Sequence, residues 1–280
     1  MRIMTHNIWG DYFKNPVEGR ADGAFAIYQQ YAPDVIGFQE LTKSWNESEL
    51  FERLSENYRF VGLDRFFANC YVPIAYKKNL TLLSFGFERF ENVPDTSKSL
   101  CWAVFKNESG KSFGVCNAHF WFMSGFEPEE KKQGIARGFG EIAFFTNEQH
   151  KNVRAENARQ MIARMKKISK EYSCPVFGLG DMNCTRQSRV FDVVCQNEGV
   201  KYLYDFAKER DDICSIHGYP LSDGEGKWHG SMPNRDHMWS IDHIFAWGEA
   251  IDVQSYRVVT DQNALDVSDH SPVFTDVWFS

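Results

Sequence analysis

Hydrophobic and polar positions follow two different periods along the chain, and each period predicts a different kind of element. Short apolar runs that close on a polar residue predict buried strands at residues 2–9, 34–40 and 174–181. An apolar stripe at helical spacing between residues 158 and 168 predicts an amphipathic helix over residues 151–170. Similar patterns predict further helices at residues 19–31, 47–57 and 188–196, and further strands at residues 72–76, 80–90, 100–106, 112–120, 240–247, 251–259 and 272–279.

The order of these elements predicts an α/β fold. Strands alternate irregularly with helices, and the sequence contains no internal repeat, low-complexity tract or obvious linker. We therefore expect a single domain over residues 1–280, built as a four-layer α/β sandwich with two packed mixed β-sheets flanked by helices. Residues 120–150 mix aromatic residues with glycine and charge and are predicted to be an insertion, whereas residues 215–238 are predicted to be a loop.

Composition and charge narrow the class of protein. The chain has 280 residues and an ordinary apolar share, so a substantial core is expected. The net charge of −7 argues against a protein built to hold long nucleic acids, although this number says nothing about local patches. Seven scattered cysteines, the lack of an apparent signal peptide and the lack of a run of about 18 apolar residues together predict a cytoplasmic protein with reduced thiols and no membrane span.

Polar side chains lie at the ends of several predicted strands and in the loop before the last one. Each of them alone has an ordinary explanation, such as a turn, a helix cap or a surface pair. Buried polar groups need partners, so the same groups gathered at one rim would form a site of oxygen ligands and imidazoles, which suits Mg²⁺ or Mn²⁺. The residues with this placement are Asn7, Glu40, His119, Asp181, Asn183, Asp242, Asp269 and His270.

The order of these residues resembles the endonuclease/exonuclease/phosphatase superfamily, which is also described as deoxyribonuclease I-like. Six short motifs carry the resemblance and span the chain from Asn7 to His270. One departs from the usual pattern, because Ala118 stands where the family has Thr or Ser. The motifs are Thr5-His6-Asn7-Ile8-Trp9, Gln39-Glu40, Asn117-Ala118-His119, Gly180-Asp181-Met182-Asn183, Ile241-Asp242-His243-Ile244-Phe245 and Ser268-Asp269-His270-Ser271-Pro272.

The resemblance implies a metal site next to a water-activating group. Glu40 would be the principal ligand of Mg²⁺ or Mn²⁺, helped by Asn7 and Asp269. The metal would neutralise phosphate oxygens and the charge that develops on the leaving oxygen. Asp181 would orient or deprotonate the attacking water, and Asn183 would hold that water or the phosphate.

The resemblance also implies two catalytic histidines. His270 would bind a phosphoryl oxygen or act as an acid, oriented by a hydrogen bond to Asp242, because a carboxylate fixes the tautomer of an imidazole and stabilises its cation. His119 would make a second imidazole contact with the phosphate. In-line attack by water fits this set of groups, so no covalent intermediate is needed.

Three further residues are candidates for substrate binding: Trp121, Trp228 and His229. Trp121 and Phe126 belong to the predicted insertion, whose aromatic residues either stack on a sugar, base or lipid chain or form a small extra core. Trp228 and His229 lie in the loop ahead of the Asp242 strand, where His229 is equally compatible with a structural loop histidine.

Other basic residues are expected to lie outside the site. Lys98 stands near the position where many relatives carry a phosphate-binding Arg, but we expect its side chain to be solvated. His217 and His237 are predicted to be surface residues. His243 is predicted to be structural, because strand alternation points it away from the face of Asp242.

The sequence therefore predicts a metal-dependent phosphoric ester hydrolase that acts as a monomer on a small phosphorylated substrate. A sugar phosphate, an inositol phosphate or a phospholipid headgroup would each fit, as a monoester or a diester. The alternative is a DNA or RNA nuclease of the same superfamily, which the acidic net charge disfavours. A binding protein that has lost the chemistry is disfavoured because all six motifs keep their polar groups.

Overall fold

The computed structural model describes residues 1–11, 15–63, 70–91, 93–125 and 128–279. The strands in these residues are β1 (Arg2–Asn7), β2 (Val35–Gln39), β3 (Tyr58–Val61), β4 (Ile74–Lys77), β5 (Thr81–Arg89), β6 (Ser99–Lys106), β7 (Ser112–His119), β8 (Val176–Asp181), β9 (Val200–Tyr202), β10 (Glu209–Arg210), β11 (Leu221–Ser222), β12 (Trp228–His229), β13 (Asp242–Trp247), β14 (Ile251–Val258) and β15 (Val273–Phe279).

Along the sequence, the helices that the structure describes lie between these strands. In the fold they lie outside the sheets. The α-helices are α1 (Ala21–Tyr31), α2 (Lys43–Glu47), α3 (Glu49–Leu54), α4 (Pro128–Ala136), α5 (Asn147–Tyr172), α6 (Arg189–Cys195), α7 (Leu203–Phe206) and α8 (Gln262–Val267), and short 3-10 helices cover Gly140–Phe144 and His237–Trp239. None of these helices is both long enough and apolar enough to cross a membrane.

The strands form two large mixed sheets and a small ribbon. The first sheet has the order β10-β14-β15-β1-β2-β4-β3, with β1 parallel to β2 and antiparallel to β15. The second has the order β5-β6-β7-β8-β13-β9, with β7 parallel to β8 and β13 antiparallel to β8. Strands β11 and β12 form the ribbon. The predicted sandwich of two mixed sheets with flanking helices is confirmed.

Successive side chains of β1 point to opposite faces of the sheet and pack in two different layers. Ile3 joins the core between the two sheets, where it shares a cluster with Leu179 of the second sheet. Met4, the next residue, points to the other face and packs with Ile27 of helix α1. The sheets approach closely at Gly37, where an added Cβ would lie 2.4 Å from a methyl carbon of Leu179.

Two amide side chains tie the sheets together near the carboxyl ends of the central strands. Gln39 Nε2 of the first sheet donates to Asn117 Oδ1 at 2.6 Å. Asn117 Nδ2 in turn donates to the backbone oxygen of Phe38 at 2.7 Å. Gln39 and Asn117 are fully buried, so these bonds satisfy groups that would otherwise be costly. They hold the ends of β2 and β7 at a fixed separation.

Several element predictions were wrong in detail. The helix predicted over residues 47–57 is shorter, α3 at Glu49–Leu54, and a separate helix, α2, ends at Glu47 ahead of it, because Ser48 between them has an extended backbone with ψ of 162°. Residues 120–150 are more regular than predicted and contain α4 and a 3-10 helix. Helix α5 begins at Asn147, four residues earlier than predicted, because Thr146 and Gln149 form a capping box ahead of it.

Candidate active site

The polar strand ends meet at one rim of the sandwich. Strand register aligns His119 with Asp181 and Asp181 with Asp242, which places three polar side chains on one row across β7, β8 and β13. On the facing sheet, Asn7 ends β1 beside the end of β2, and Glu40 follows β2 directly. The register of parallel and antiparallel strands therefore brings together residues that are far apart in sequence.

Asp181 lies at the centre of this rim. Its Oδ2 accepts a hydrogen bond from Asn7 Nδ2 at 3.0 Å and lies 3.1 Å from His119 Nε2. Its Oδ1 accepts from the backbone N–H of Asn183 at 2.8 Å. Burial alone would raise the pKa of this carboxyl, but the charges of His119, His270 and Lys98 outweigh burial and hold the pKa below its ordinary value. Asp181 is therefore a carboxylate at neutral pH.

Three of the residues at the rim have a left-handed backbone, which L-residues other than glycine rarely adopt. The φ angles are 55° at Trp9, 57° at Glu40 and 47° at Asn183. Such strain persists only where surrounding contacts hold it. At Asn183 those contacts are the backbone bond to Asp181 and a side-chain bond from Nδ2 to the backbone oxygen of Phe120 at 3.0 Å.

His270 and Asp242 form a buried pair behind Asp181. His270 Nδ1 lies 2.9 Å from Asp242 Oδ2, and its Nε2 lies 3.9 Å from Asp181 Oδ2. Burial lowers the pKa of the imidazole, but the charges of Asp242, Asp269 and Asp181 overcome this and raise the pKa well above its ordinary value. His270 is therefore a cation at neutral pH, with Nε2 directed to the centre of the site.

Ser215 supports this pair, and the sequence analysis did not identify it. Its hydroxyl donates to Asp242 Oδ2 at 2.7 Å and accepts the backbone N–H groups of Ile241 and Asp242, each at 3.1 Å. The segment is fixed further by a bridge between Ile216 and His270. Ser215 lies in a predicted loop without a motif, so only the folded chain reveals its position.

Glu40 and Asp269 are the carboxylates best placed to hold a metal. Both line the cleft at the rim, and Glu40 Oε2 accepts the backbone N–H of Gly10 at 3.0 Å. Burial raises the pKa of Asp269 to about 7, and the charge of Glu40 contributes to the rise although His270 opposes it. A divalent cation between the two carboxylates would relieve this repulsion, so the oxygen donors fit Mg²⁺ or Mn²⁺.

A second group of possible ligands is formed by Asp181, Asp242 and His270, whose ligand atoms lie within 4.8 Å of one another. Within this group, His270 Nδ1 and Asp242 Oδ2 already share a hydrogen bond. A metal there would have to replace that bond and would lie beside a cationic imidazole. A metal held by Glu40 and Asp269 would leave that bond in place.

Lys98 is buried in the site, so the prediction that it is solvated was wrong. Only 5% of the residue is exposed, and its ammonium group lies 2.7 Å from His119 Nε2. Burial lowers the pKa of the lysine, although the negative charges of Asp95, Glu40 and Asp181 oppose the shift. These carboxylates explain why a lysine is stable at a position where the sequence alone suggested solvent.

Two histidines predicted to lie at the surface are also buried. His237 stacks on Tyr204 with parallel rings 3.6 Å apart, and it hydrogen-bonds to the hydroxyl of Tyr202. His217 is 6% exposed, and its backbone N–H donates to the backbone oxygen of Asp269 at 2.8 Å. Burial lowers the pKa of His237 to about 3 and of His217 to about 4, so both are neutral. His243 is buried as predicted, with Nε2 2.9 Å from the backbone oxygen of Cys184.

Trp121, Trp228 and His229, which were predicted to contact the substrate, are not among the residues that line the cleft. Trp121 is fully buried, and its indole N–H donates to His150 Nδ1 at 2.8 Å. Trp228 is also buried and packs edge-on against Trp9 with ring centroids 5.5 Å apart. The side chain of His229 is 63% exposed and lies beside Asp223. Phe126 lies outside the described residues.

The predicted groups surround a cleft of about 690 Å³, a volume typical of small-molecule sites. Asn7 and Asp242 lie behind its surface and contact Asp181 and His270 respectively. The lining residues are Trp9, Asn15, Glu40, Ser97, Lys98, His119, Phe122, Gln133, Arg137, Asp181, Asn183, Ile216, Tyr219, Ile241, Asp269 and His270.

Comparison with solved structures finds the same fold in several proteins. An endonuclease/exonuclease/phosphatase from Bacteroides vulgatus has a TM-score of 0.71 and 22% identity, over 100% of this chain and 98% of that chain. A mannosyl-6-phosphatase from Bacteroides thetaiotaomicron has a TM-score of 0.69 and 18% identity, over 100% of both chains. The catalytic domain of human nocturnin, with a bound sulfate anion, has a TM-score of 0.68 and 15% identity, over 100% of this chain and 94% of that chain.

These identities are low, so the structural matches show the fold alone. No curated protein matches the chain. The sequence itself matches the Endonuclease/Exonuclease/phosphatase family over residues 4–270, a range that includes the polar rim residues from Asn7 to His270. The chain therefore belongs to the Endonuclease/Exonuclease/phosphatase family, whose members hydrolyse phosphate esters.

Proposed function

We propose that this protein is a divalent-metal-dependent hydrolase that uses water to cleave small phosphate esters, and phosphate monoesters in particular. One observation carries the proposal: an ionised carboxylate, Asp181, faces two imidazoles, His119 and His270, in a cleft that the paired carboxylates Glu40 and Asp269 also line. This arrangement offers a base, an acid and a cation site around one small volume.

Glu40 and Asp269 would hold the metal, helped by Asn7. A bound Mg²⁺ or Mn²⁺ would supply charge neutralisation for the phosphate oxygens and the leaving oxygen. Asn7 already uses its amide to hold Asp181 at 3.0 Å, so it links the metal site to the base. Asn7 would therefore position both the metal and Asp181.

The protein's own groups account for the proton and phosphate handling. Asp181 orients the attacking water and accepts its proton, because its lowered pKa keeps it ionised and Asn7 fixes its orientation. The His270 cation donates a hydrogen bond from Nε2 to a phosphoryl oxygen, while Asp242 holds Nδ1–H. Lys98 adds positive charge, and Lys98 and His119 offer hydrogen bonds, on the other side of Asp181, where the equatorial oxygens collect negative charge.

A small substrate fits the cleft better than a nucleic acid does. The lining holds three carboxylates, Glu40, Asp181 and Asp269, and three cations, Lys98, Arg137 and His270, so it has no excess of positive charge. A nuclease needs a basic surface that follows the phosphate backbone, and the net charge of −7 does not favour one. The structural neighbour named a mannosyl-6-phosphatase supports a monoester as the substrate.

We also propose that residues 1–280 act as one catalytic unit in which the insertion at residues 120–150 supplies part of the cleft. Phe122, Gln133 and Arg137 come from this segment and line the same cleft as the strand-end residues. The segment would therefore select the substrate, whereas the rim would carry out the chemistry.

A substrate and metal panel tests the proposed activity. The protein should release phosphate from p-nitrophenyl phosphate and from phosphorylated small molecules with Mg²⁺ or Mn²⁺, and EDTA should abolish the activity reversibly. Bis-p-nitrophenyl phosphate and single-stranded and double-stranded DNA serve as diester arms. Faster cleavage of DNA than of every small ester, with a steep loss of activity as salt rises, would favour the nuclease instead.

A further inference from the structure

The cleft has a wall that the catalytic proposal does not use, formed by Phe122, Gln133 and Arg137 of the insertion. Gln133 lies on helix α4, and Arg137 follows the end of that helix with its backbone N–H bonded to the oxygen of Gln133 at 2.9 Å. Helix α4 thus presents a carboxamide and a guanidinium to the space beside the catalytic rim.

This wall is held in place by a core of its own. Five buried residues form a cluster separate from the main core: Trp121, Met123, Phe139, Ile142 and Ala143. Helix α4 packs closely on this cluster at Gly134, where an added Cβ would lie 3.0 Å from the Ala143 side chain. Near the start of the insertion, Arg154 of α5 donates a hydrogen bond of 2.7 Å to the backbone oxygen of Met123. The wall is therefore a packed surface with a defined shape.

The Arg137 side chain has a defined direction. Its guanidinium carbon lies 5.9 Å from the ring centre of Phe122 and 6.0 Å from that of Phe139. One of its terminal nitrogens lies 3.8 Å from Asp95 Oδ2. Asp95 offsets part of the positive charge of Arg137. A group of the ligand that contacts Arg137 therefore does not need to carry a negative charge in addition to that of the phosphate. A guanidinium group is a planar hydrogen-bond donor that can bind hydroxyl oxygens as well as anions.

Another part of the lining is aromatic. Tyr219 and Trp9 stack with ring centroids 5.4 Å apart and an interplanar angle of 27°. Arg20 and Trp228 pack against Trp9 at 4.7 Å and 5.5 Å from its ring, which fixes that ring from behind. Tyr219 is 68% exposed although it lines the cleft. An exposed aromatic face on a rigid support suits the apolar face of a flat or ring-shaped ligand.

We propose that Gln133 and Arg137 bind the hydroxyl groups of a polyhydroxylated ring in the leaving group, and that one face of this ring packs on Tyr219. A carboxamide both donates and accepts hydrogen bonds, as a hydroxyl does, so Gln133 matches a polyol better than an anion. The inference rests on the proposed phosphomonoesterase activity and specifies its substrate class. A sugar phosphate and an inositol monophosphate share this chemistry.

Steady-state kinetics on a matched set of monoesters tests the assignment. The set contains a hexose 6-phosphate, inositol 1-phosphate, AMP and p-nitrophenyl phosphate, the last of which has no hydroxyl groups. Wild-type protein should give its highest kcat/KM with one of the two ring polyols. Arg137→Ala and Gln133→Ala should each lower that kcat/KM about tenfold, mainly through KM, because each removes hydrogen bonds to the leaving group. The loss on p-nitrophenyl phosphate should be smaller than the loss on the polyol, because this ester has no hydroxyl groups for either side chain to bind.

Lys132→Ala is the matched control, because Lys132 is an exposed cation on the same helix that pairs with Glu129 and does not line the cleft. It should leave all four substrates unchanged. Equal losses on the polyol and on p-nitrophenyl phosphate in Arg137→Ala would overturn the assignment, as would a wild-type preference for AMP. If wild-type protein cleaves p-nitrophenyl phosphate and no polyol ester, only this inference fails. If it cleaves no phosphate ester with either metal, the proposed function itself fails.

Discussion

The catalytic rim and the insertion wall line the same cleft but are built in different ways. The rim consists of residues at strand ends, so sheet register fixes their positions, as it does for His119 and Asp181. The wall consists of a helix and a loop that pack on a small separate core. The sandwich would therefore set the chemistry through its rim. The insertion, which is a separately packed segment, would set the choice of leaving group.

Loss of the insertion core should have the largest effect on stability. We expect Trp121→Ala to lower the free energy of unfolding by about 3–5 kcal/mol, because it removes a fully buried indole and the bond to His150. Thermal or urea unfolding measures this loss. Trp239→Ala, which truncates a 54% exposed indole, is the control and should change stability by less than about 0.5 kcal/mol. A similar small change in both variants would show that Trp121 does not hold the wall.

Substitutions of Lys98 and Arg137 should distinguish the role of the rim in the chemistry from the role of the wall in substrate choice. We expect Lys98→Met to lower kcat about a hundredfold on every phosphate ester, because Lys98 lies beside His119 and Asp181 where negative charge develops. Arg137→Ala should instead depend on the leaving group, as described above. Lys78→Met changes an exposed lysine and serves as the control. An effect of Lys98→Met that depends on the substrate would show that Lys98, like the wall, acts in the choice of leaving group.

Titration of His270 tests the electrostatics of the rim in the metal-free protein. The folded-state pKa is raised above the ordinary value of about 6.5, so the bound proton contributes stability that is fully present below about pH 6.5. That stability is lost as pH rises through the folded-state pKa. Asp242→Asn removes the charge that opposes burial and should lower the His270 pKa, as measured by histidine NMR signals. An unchanged titration would contradict the role of Asp242.

Much of the fold and of the rim was predictable because strand ends carry a sequence signal. Apolar runs that close on Glu40 or Asp181 are visible without a structure, and their joint order indicated the family. Lys98 was not predictable, because two of the three carboxylates that stabilise its burial, Glu40 and Asp181, come from distant segments, and only Asp95 is near in sequence. The sequence also left open whether the aromatic residues at 120–150 contact a substrate or form a small core; the structure shows a core around Trp121, and Phe122 lines the cleft.

Ser215 should have a moderate effect on the rim. We expect Ser215→Ala to lower kcat about tenfold and the free energy of unfolding by about 1–2 kcal/mol, because buried Asp242 and two backbone N–H groups lose a partner. A pH profile of kcat should shift with it, since Asp242 orients His270. Ser222→Ala, at an exposed serine of the β11–β12 ribbon, should have neither effect. A loss of stability without a change in the pH profile would reduce Ser215 to a structural role.

Tyr219 should have the smallest effect, and only on the substrate side. Tyr219→Ala should raise KM for the preferred polyol ester about three- to tenfold, because it removes an aromatic contact worth about 0.5–1.5 kcal/mol. Tyr219→Phe keeps the ring and should retain wild-type KM. Leu221→Ala, at an exposed residue that does not line the cleft, is the control. An equal loss in Tyr219→Phe would assign the effect to the hydroxyl and contradict ring packing.

The central claim is that Asp181 activates water in a metal-dependent hydrolysis. Its most direct test is kcat of Asp181→Asn on p-nitrophenyl phosphate at saturating Mg²⁺, with Asp192→Asn, at an exposed carboxylate of α6, as the control. We expect a loss of about a hundredfold or more in Asp181→Asn and wild-type rates in the control. Near wild-type turnover in Asp181→Asn would contradict it.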